Sequence, residues 1–194
     1  MNRGADRQDI FSDDIDHVRF EDLIGDAVDR FGVEAHAYAL MTNHFHLLLR
    51  CPEGGLSASM QLIEHRYTQW YNARHHRDGP LYRGRFTSVD VTDDDQLVTV
   101  GRYIHSNPLA MVPASALSAY RWSSFGVYAG RRARPDWLEV GAVSRGFEPS
   151  AYRELIEHEL PSDQPAIPPT WLTARDVIAA VRTVTGIEER ALRQ

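Results

Sequence analysis

The stretch VEAHAYALMTNHFHLLLR, residues 33–50, decides the fold of this 194-residue chain. Large and small side chains alternate in its first half, the pair Thr42-Asn43 is polar, and an apolar run follows. Two extended runs joined by a short polar turn are typical of a β-hairpin. Because residues two apart in a strand point to the same face, we expect His44 and His46 side by side on one face of the sheet.

Helices are predicted on both sides of the hairpin. Apolar residues recur at helical spacing in residues 13–31, and Gly32 supplies a stop. After the hairpin, Ser57 can cap a helix that runs to about His75. Both helices carry an apolar face that can pack on the sheet.

The chain then returns to a strand and a helix. Residues 85–91 are rich in β-forming types, and Thr92 or Asp93 can cap the helix that follows. That helix must end near Asn107, because Pro108 comes next. Helices interspersed with antiparallel strands favour an α+β fold with helices on one side of a small sheet.

The remainder of the chain is less regular and contains no internal repeat. Short helices are predicted within residues 122–128 and 149–160. Prolines indicate a linker over residues 161–169, and a last helix is predicted from Thr173 to about Thr185.

Composition excludes several classes of protein. The charged and hydrophobic fractions, 25% and 43%, are those of a globular domain. A single cysteine, Cys51, excludes an internal disulfide framework and a multi-cysteine metal site. No apolar run approaches the roughly 18 residues of a membrane span, and the first 30 residues lack an apolar signal core. These features favour the cytoplasm and no membrane partner.

Charge is unevenly distributed along the chain. All 21 basic residues are arginine, and 27 acidic residues give a net charge of -6, which by itself argues against nucleic acid as a partner. Residues 35–147 nevertheless carry twelve arginines and nine acidic residues, a net charge of +3. Five of these arginines fall between Arg66 and Arg85, interleaved with aromatic residues. Such a run can bind phosphates and unstacked bases, or it can be a solvated helix face followed by a polar loop.

Two pairs of polar side chains can carry chemistry. His44 and His46 can bind a divalent metal and leave positions open for a substrate, or they can simply be polar residues on a wetted strand face. Tyr103 and Asn107 lie one turn apart on the same helix face, whereas His105 points elsewhere. A structural explanation is open here too, with Tyr103 as a half-buried core residue and Asn107 as a helix C-cap.

Four segments resemble, in order and spacing, motifs of the HUH-type tyrosine transposases in the IS200-like superfamily. They are MTNHFHLLL at 41–49, LYRGRFTS at 81–88, RYIHSNP at 102–108 and WSSF at 122–125. Within that superfamily the chain resembles the REP-associated tyrosine transposases. The resemblance implies a ferredoxin-like or RRM-like antiparallel sheet with helices on one face, plus a helical C-terminal extension.

The resemblance also implies an activity and a site. Tyr103 would attack a backbone phosphate of DNA and leave a 5′-phosphotyrosine and a free 3′-hydroxyl. A free tyrosine has a pKa of about 10, so the attack needs help. A divalent metal, Mg²⁺ or Mn²⁺, would be held by His44, His46 and Asn107, because in the related transposases a polar residue one turn after the tyrosine completes the metal site.

The implied partner is single-stranded or hairpin DNA. The predicted phosphate contacts are Arg74, Arg77, Arg83 and Arg85, and Tyr82 is predicted to stack on a base. The resemblance further implies a bacterial cytoplasmic protein that associates with the nucleoid and acts as a monomer or a homodimer.

Both ends of the chain depart from the family pattern. The first four residues match only the end of the family's first strand, so we expect that strand to be missing. We expect a catalytic domain over 1–130, a helical extension over 131–160, and a Pro-rich linker with an incomplete helical tail over 161–194. A missing strand favours an alternative hypothesis, a catalytically inactive nucleic-acid-binding relic or regulator with the same fold. A metal-site protein unconnected with DNA is a third hypothesis.

Overall fold

The computed structural model describes residues 1–158 and 179–181. The strands are β1 Asn2–Arg3, β2 Glu34–Met41, β3 His44–Arg50, β4 Val89–Asp90 and β5 Ala179–Val181. The helices are α1 Asp14–Phe31, α2 Leu56–Arg74, α3 Asp94–Ser106, α4 Ala114–Leu117, α5 Phe125–Tyr128, α6 Gly141–Ser144 and α7 Pro149–His158. Short 3₁₀ helices cover Ala5–Arg7 and Asn107–Ala110.

Strands β2 and β3 form the predicted hairpin, and β3 also pairs with β1 and β5. The two strands of the hairpin pair antiparallel along their length, with one register shift between Ala35 and Ala37. Residues 42 and 43 form the turn between them. The hairpin prediction is therefore confirmed.

A short strand precedes the first helix, where the sequence predicts none. β1 pairs antiparallel with β3 through Asn2↔Phe45 and Arg3↔His44, so the antiparallel part of the sheet has three strands. The expectation of a missing strand is corrected, because two residues of it are present and paired. Since β1 is so short, it covers only the beginning of this edge of β3.

Further along the same edge, β3 is covered by β5. Residues 48–50 pair parallel with residues 179–181, and β5 also pairs parallel with β4. For the described residues 179–181, the helix predicted over 173–185 is therefore wrong. A bare strand edge presents unpaired backbone N–H and C=O groups, and pairing with them outweighs a local helix preference. The rest of that predicted helix and the linker over 161–169 lie outside the described residues.

Local sequence explains where α1 and α2 begin. The carboxylate of Asp13 accepts hydrogen bonds from the backbone of the first turn of α1, and Asp16 bonds back to form a capping box. Gly32 ends this helix in the left-handed region, with φ of 62°. Helix α2 begins after Gly55, whose φ of 90° requires glycine. We predicted Ser57 as the cap, but the cap is Gly55 and Ser57 lies inside the first turn.

The sheet carries an apolar core on each face. Helices α1 and α2 pack on one face, and the buried residues there include Phe20, Leu23, Phe45, Leu47, Ile63 and Tyr67. Helix α3 packs on the other face, with Ala37, Ala39, Leu48, Leu97, Val100 and Ile104. The mixed architecture with an antiparallel sheet is as predicted, but helices cover both faces rather than one. The reason is that β2 and β3 are buried on both sides, so each face needs a covering layer.

Residues 131–158 pack directly on this domain. The backbone N–H of Glu139 donates to the carbonyl of Ala35 in β2 over 2.8 Å. Val143 of α6 packs against Gly101 of α3. The C-terminal extension is thus helical, as predicted, and it buries the outer side of α3. No helix in the described parts of the chain is long and apolar enough to cross a membrane.

Candidate active site

Helix α3 lies against the hairpin so that His44, His46 and Tyr103 meet on one face of the sheet. The imidazole rings of His44 and His46 are 5.2 Å apart between centroids and nearly perpendicular, at 79°. The His46 ring lies 5.8 Å from the Tyr103 ring, at 87°. The structure therefore brings together the side chains that the two sequence motifs contribute.

His44 is held in one orientation and in its neutral form. Its Nδ1 donates to Asn43 Oδ1 over 2.8 Å, since an amide oxygen can only accept, and this leaves a lone pair on Nε2. Burial, with the charges of Arg3 and the N-terminal amino group, lowers the pKa of His44 to about 4. At neutral pH the imidazole is therefore in the uncharged form that binds metal ions.

Tyr103 keeps its proton at neutral pH. The side chain is half-buried, and burial raises the pKa of its hydroxyl above the ordinary value. A hydrogen bond with the Asn107 side chain and the charge of Arg3 lower the same pKa, but burial outweighs them. If Tyr103 is a nucleophile, it must lose this proton in the course of the attack.

Asn107 both ends α3 and contacts Tyr103. It is the C-cap residue of the helix, and its Nδ2 donates to the backbone carbonyl of Tyr103 over 2.8 Å. This hydrogen bond holds the Asn107 side chain against the last turn of α3, so its structural role as a cap is shown.

The side chains at this site are of chemical types that bind divalent cations. The imidazoles of His44 and His46 and the amide oxygen of Asn107 are ligands that suit Mn²⁺ and, less well, Mg²⁺. Among residues 1–158 and 179–181, no group of three or more His, Cys, Asp or Glu side chains could hold an ion. A metal here would therefore need oxygen atoms of substrate or water beside these three donors.

Arg3 belongs to the same site, although the sequence did not identify it. It lies directly opposite His44 in the pairing of β1 with β3, and its charge lowers the pKa of both His44 and Tyr103. Its Nε is buried without a hydrogen-bond partner. The available signal was the match of the first four residues to the end of the family's first segment, which does not mark any side chain as functional.

Two of the arginines predicted to contact phosphate, Arg74 and Arg77, bind other side chains of the protein. Arg74 forms ion pairs with Asp13 over 2.6 Å and with Asp16 over 2.7 Å. The guanidinium of Arg77 donates to the side-chain oxygen of Gln8. Because two carboxylates compensate its charge, we reassign Arg74 from DNA contact to holding α2 against the start of α1. Arg77 is held by Gln8, and among the described residues no carboxylate compensates its charge.

Tyr82 lies in the core and not at the surface. Its side chain is 9% exposed, and its ring meets the Phe45 ring edge-on at 6.0 Å between centroids. A ring enclosed in this way cannot stack on a base, so its predicted role in DNA binding is corrected to packing. The alternation of arginine and tyrosine in the sequence could not show this, because β3 supplies the contact that buries Tyr82.

Arg83 and Arg85 are exposed and lie beside Arg3. The three arginines line a pocket of about 170 Å³, together with neutral residues and the start of the chain. Within the described residues, neither Arg83 nor Arg85 forms an ion pair, and no carboxylate lines the pocket. A positively charged surface therefore adjoins the histidine–tyrosine cluster, and both residues stay predicted phosphate contacts.

His105 points away from the site, as its position on the helix predicts. It is fully buried, and its ring nitrogens hydrogen-bond the hydroxyl groups of Tyr152 at 2.9 Å and Ser124 at 2.7 Å. Burial lowers its pKa to about 3. The residue is structural, because it joins α3 to α7 and to the start of α5.

The fold and the site define an antiparallel α/β domain that places a histidine pair beside a helix-borne tyrosine. A family model described as transposase IS200 like matches residues 1–107, which is more than half of the chain and includes this cluster. The chain therefore belongs to the IS200-like transposase family, a family of DNA transposition. No curated protein and no solved structure matches the chain.

Proposed function

We propose that this protein cleaves single-stranded DNA and rejoins it through a covalent bond to Tyr103. The observation that carries the proposal is the meeting of His44, His46 and Tyr103 on one face of the sheet, with the His46 and Tyr103 rings 5.8 Å apart. Membership of a transposase family supports DNA as the substrate. The resemblance to HUH-type enzymes, and among them to the REP-associated branch, supports a tyrosine nucleophile and processing of REP-type elements.

The proposed step is a transesterification. Tyr103 Oη attacks the phosphorus of a DNA phosphodiester, and the bond from phosphorus to the 3′-oxygen breaks. The tyrosine is left as a 5′-phosphotyrosine, its proton passes to solvent, and the 3′-oxygen leaves as a hydroxyl after taking up a proton. Because one ester replaces another, a 3′-hydroxyl can reverse the step and rejoin the strand without ATP.

His44, His46 and Asn107 would hold the metal cofactor of this reaction, Mg²⁺ or Mn²⁺. Bound there, a divalent cation supplies positive charge to the phosphate under attack. The neutral state of His44, whose pKa is about 4, supports this role because it leaves Nε2 free to bind a metal at neutral pH.

Arg83 and Arg85 support binding of the DNA backbone, since both are exposed and line the charged pocket beside the site. Arg77 can add to this surface through its uncompensated charge. We infer single-stranded or hairpin DNA as the partner, a bacterial cytoplasmic location with association to the nucleoid, and action as a monomer or a homodimer.

A covalent adduct assay tests the proposal. The protein is incubated with Mg²⁺ or Mn²⁺ and a pool of 3′-labelled single-stranded oligonucleotides that contain a hairpin between random flanks. We expect label to migrate with the wild-type protein on a denaturing gel. Tyr103→Phe should abolish that band, whereas Tyr120→Phe, which changes another half-buried tyrosine, should keep it. An equal band from Tyr103→Phe would contradict the role of Tyr103.

A second candidate is a non-catalytic DNA-binding protein with the same fold. The raised pKa of Tyr103 favours it, because a protonated phenol is a weak nucleophile. Oligonucleotide binding that needs no metal and gives no adduct in the same assay would support this candidate over the first.

A further inference from the structure

The guanidinium of Arg3 is a cation at the candidate active site. Among the described residues no carboxylate forms an ion pair with it, and its buried Nε has no hydrogen-bond partner there. Leaving such a group without a hydrogen-bond partner costs stability. A ligand that supplies oxygen acceptors at this place would remove that cost.

The backbone of Arg3 is fixed in place by its neighbours. The residue pairs with His44 in the sheet, and its carbonyl accepts a hydrogen bond from the backbone N–H of Arg83 over 3.0 Å. Its own N–H donates to Asn2 Oδ1 over 2.8 Å. The side chain of Asn2 is held in turn by Glu64 Oε1 over 2.9 Å. This network fixes the backbone of Arg3 before any substrate binds.

Arg3 faces the histidine–tyrosine cluster through the strand pairing. Because Arg3 and His44 lie directly opposite each other in the pairing of β1 with β3, their side chains project from the same face of the sheet. On that face the His44 ring contacts the His46 ring, and the His46 ring contacts the Tyr103 ring. A cation on this face is placed to stabilise negative charge on the phosphate that Tyr103 attacks.

We infer that Arg3 is a catalytic residue of the reaction proposed above, and that its guanidinium binds the phosphate that Tyr103 attacks. When Tyr103 Oη adds to phosphorus, negative charge grows on the oxygen atoms that take no part in bond making or breaking. Two of the N–H groups of Arg3 can donate to these oxygens in a fork. The inference rests on the proposed function and adds a cation to the residues of that site.

The neighbouring pocket gives the direction in which the DNA would continue. Arg3, Arg83 and Arg85 all line it, so the phosphate at Arg3 and the next phosphate of the strand would meet cations in succession. Arg83 and Arg85 serve binding in this arrangement, whereas Arg3 alone acts on the reacting group.

Single-turnover kinetics of the full chain separate these roles. The substrate is the oligonucleotide recovered most often from adducts of the random pool, and the variants are Arg3→Gln and the control Arg30→Gln. Arg30 carries the same charge and lies on α1, on the opposite side of the sheet.

At saturating DNA we expect Arg3→Gln to form adduct roughly 10²- to 10³-fold more slowly than wild type, as for loss of a donor to a developing oxyanion. Its dissociation constant should rise less than roughly 10-fold, and Arg30→Gln should match wild type in both.

A folding defect in Arg3→Gln would imitate this result, so a second measurement uses Arg3→Ala with ethylguanidinium at low millimolar concentration. We expect the added cation to raise the rate of adduct formation by Arg3→Ala by roughly tenfold or more. A variant that is slow because it is misfolded would not respond to the cation in this way. The inference would be overturned by a wild-type rate in Arg3→Gln, by a loss of DNA affinity alone, or by absence of rescue in Arg3→Ala. In each of these cases an adduct from the wild-type protein would leave the proposed function intact. Absence of adduct from the wild-type protein would overturn both.

Discussion

At the scale of single residues, the site uses side chains whose positions are set by structural roles. Asn107 caps α3, and its side chain donates to the backbone carbonyl of Tyr103. Arg3 is held by strand pairing opposite His44. Because structure and chemistry share these residues, each substitution is informative only when stability and activity are measured together.

Arg74 and Arg83 are expected to differ in their effects. Arg74→Gln removes an ion-pair partner of Asp16, whose side chain is fully buried, so the thermal midpoint should fall while DNA affinity stays nearly unchanged. Arg83→Gln removes an exposed cation and should leave the midpoint unchanged, while it weakens binding of single-stranded DNA roughly 3- to 10-fold. Circular dichroism melting and fluorescence anisotropy measure the two effects. Loss of affinity in Arg74→Gln without loss of stability would contradict the reassignment.

Glu64 predicts a pH dependence of stability. Burial raises its pKa to about 7, whereas the same group in the unfolded chain has a pKa near 4.5. The folded chain therefore keeps a proton that the unfolded chain releases, so this contribution to stability is present at low pH and is lost as the pH rises to about 7. Glu64→Gln can still accept the hydrogen bond from Asn2 but does not titrate.

Relative to wild type, Glu64→Gln should therefore gain roughly 2–3 kcal/mol in free energy of unfolding between about pH 5 and about pH 8. Urea unfolding at both pH values measures the difference between the two proteins. A difference that is the same at both values would show that Glu64 does not titrate as stated.

At the scale of elements, the sequence predicts the helix ends that are marked by a capping residue or a proline. Asp13 and Gly32 bound α1, and Pro108 follows the end of α3, as expected from capping and backbone restriction. Strands β4 and β5 differ from the prediction, since β4 is shorter than predicted and β5 stands where a helix was expected. Strand pairing depends on partners distant in sequence, so local propensity cannot decide it.

The candidate site shows the same limit. The strand period of two predicts that the histidines share a face, and the helix period predicts that Tyr103 and Asn107 do. Arg3 and Tyr82 could not be assigned from the sequence, because the contacts of β1 and β3 determine the surroundings of both. Charge and aromatic content alone therefore gave Tyr82 a role at the surface that its burial excludes.

The contact between α3 and α6 predicts a cost for added volume. A Cβ at Gly101 would collide with the side chain of Val143. Gly101→Ala should therefore lower the free energy of unfolding by roughly 1–3 kcal/mol, the usual cost of overpacking. Gly141→Ala is the matched control, since nothing lies within 4 Å of its added methyl group. Urea unfolding compares the two, and equal stability of both variants would show that α6 moves without cost.

At the scale of the whole molecule, the net charge of -6 conceals a local positive surface. Arg3, Arg83 and Arg85 line one pocket, and no carboxylate of the described residues lines it. If each arginine neutralises one phosphate, the slope of log affinity against log salt concentration should be about -2 or steeper. Removal of each arginine should reduce the magnitude of the slope by about 0.7. Anisotropy titrations at several salt concentrations measure the slope. A slope near zero would exclude this surface from DNA binding.

Mass spectrometry of the adduct shows whether Tyr103 becomes linked to DNA. Cleavage after Arg102 and Arg121 gives a peptide that begins with Tyr103 and also contains Tyr120, an internal comparison. We expect a nucleotide joined through its 5′-phosphate to Tyr103 and not to Tyr120. Nucleotide on Tyr120 or on another peptide, with Tyr103 unmodified, would contradict the role of Tyr103 as the nucleophile.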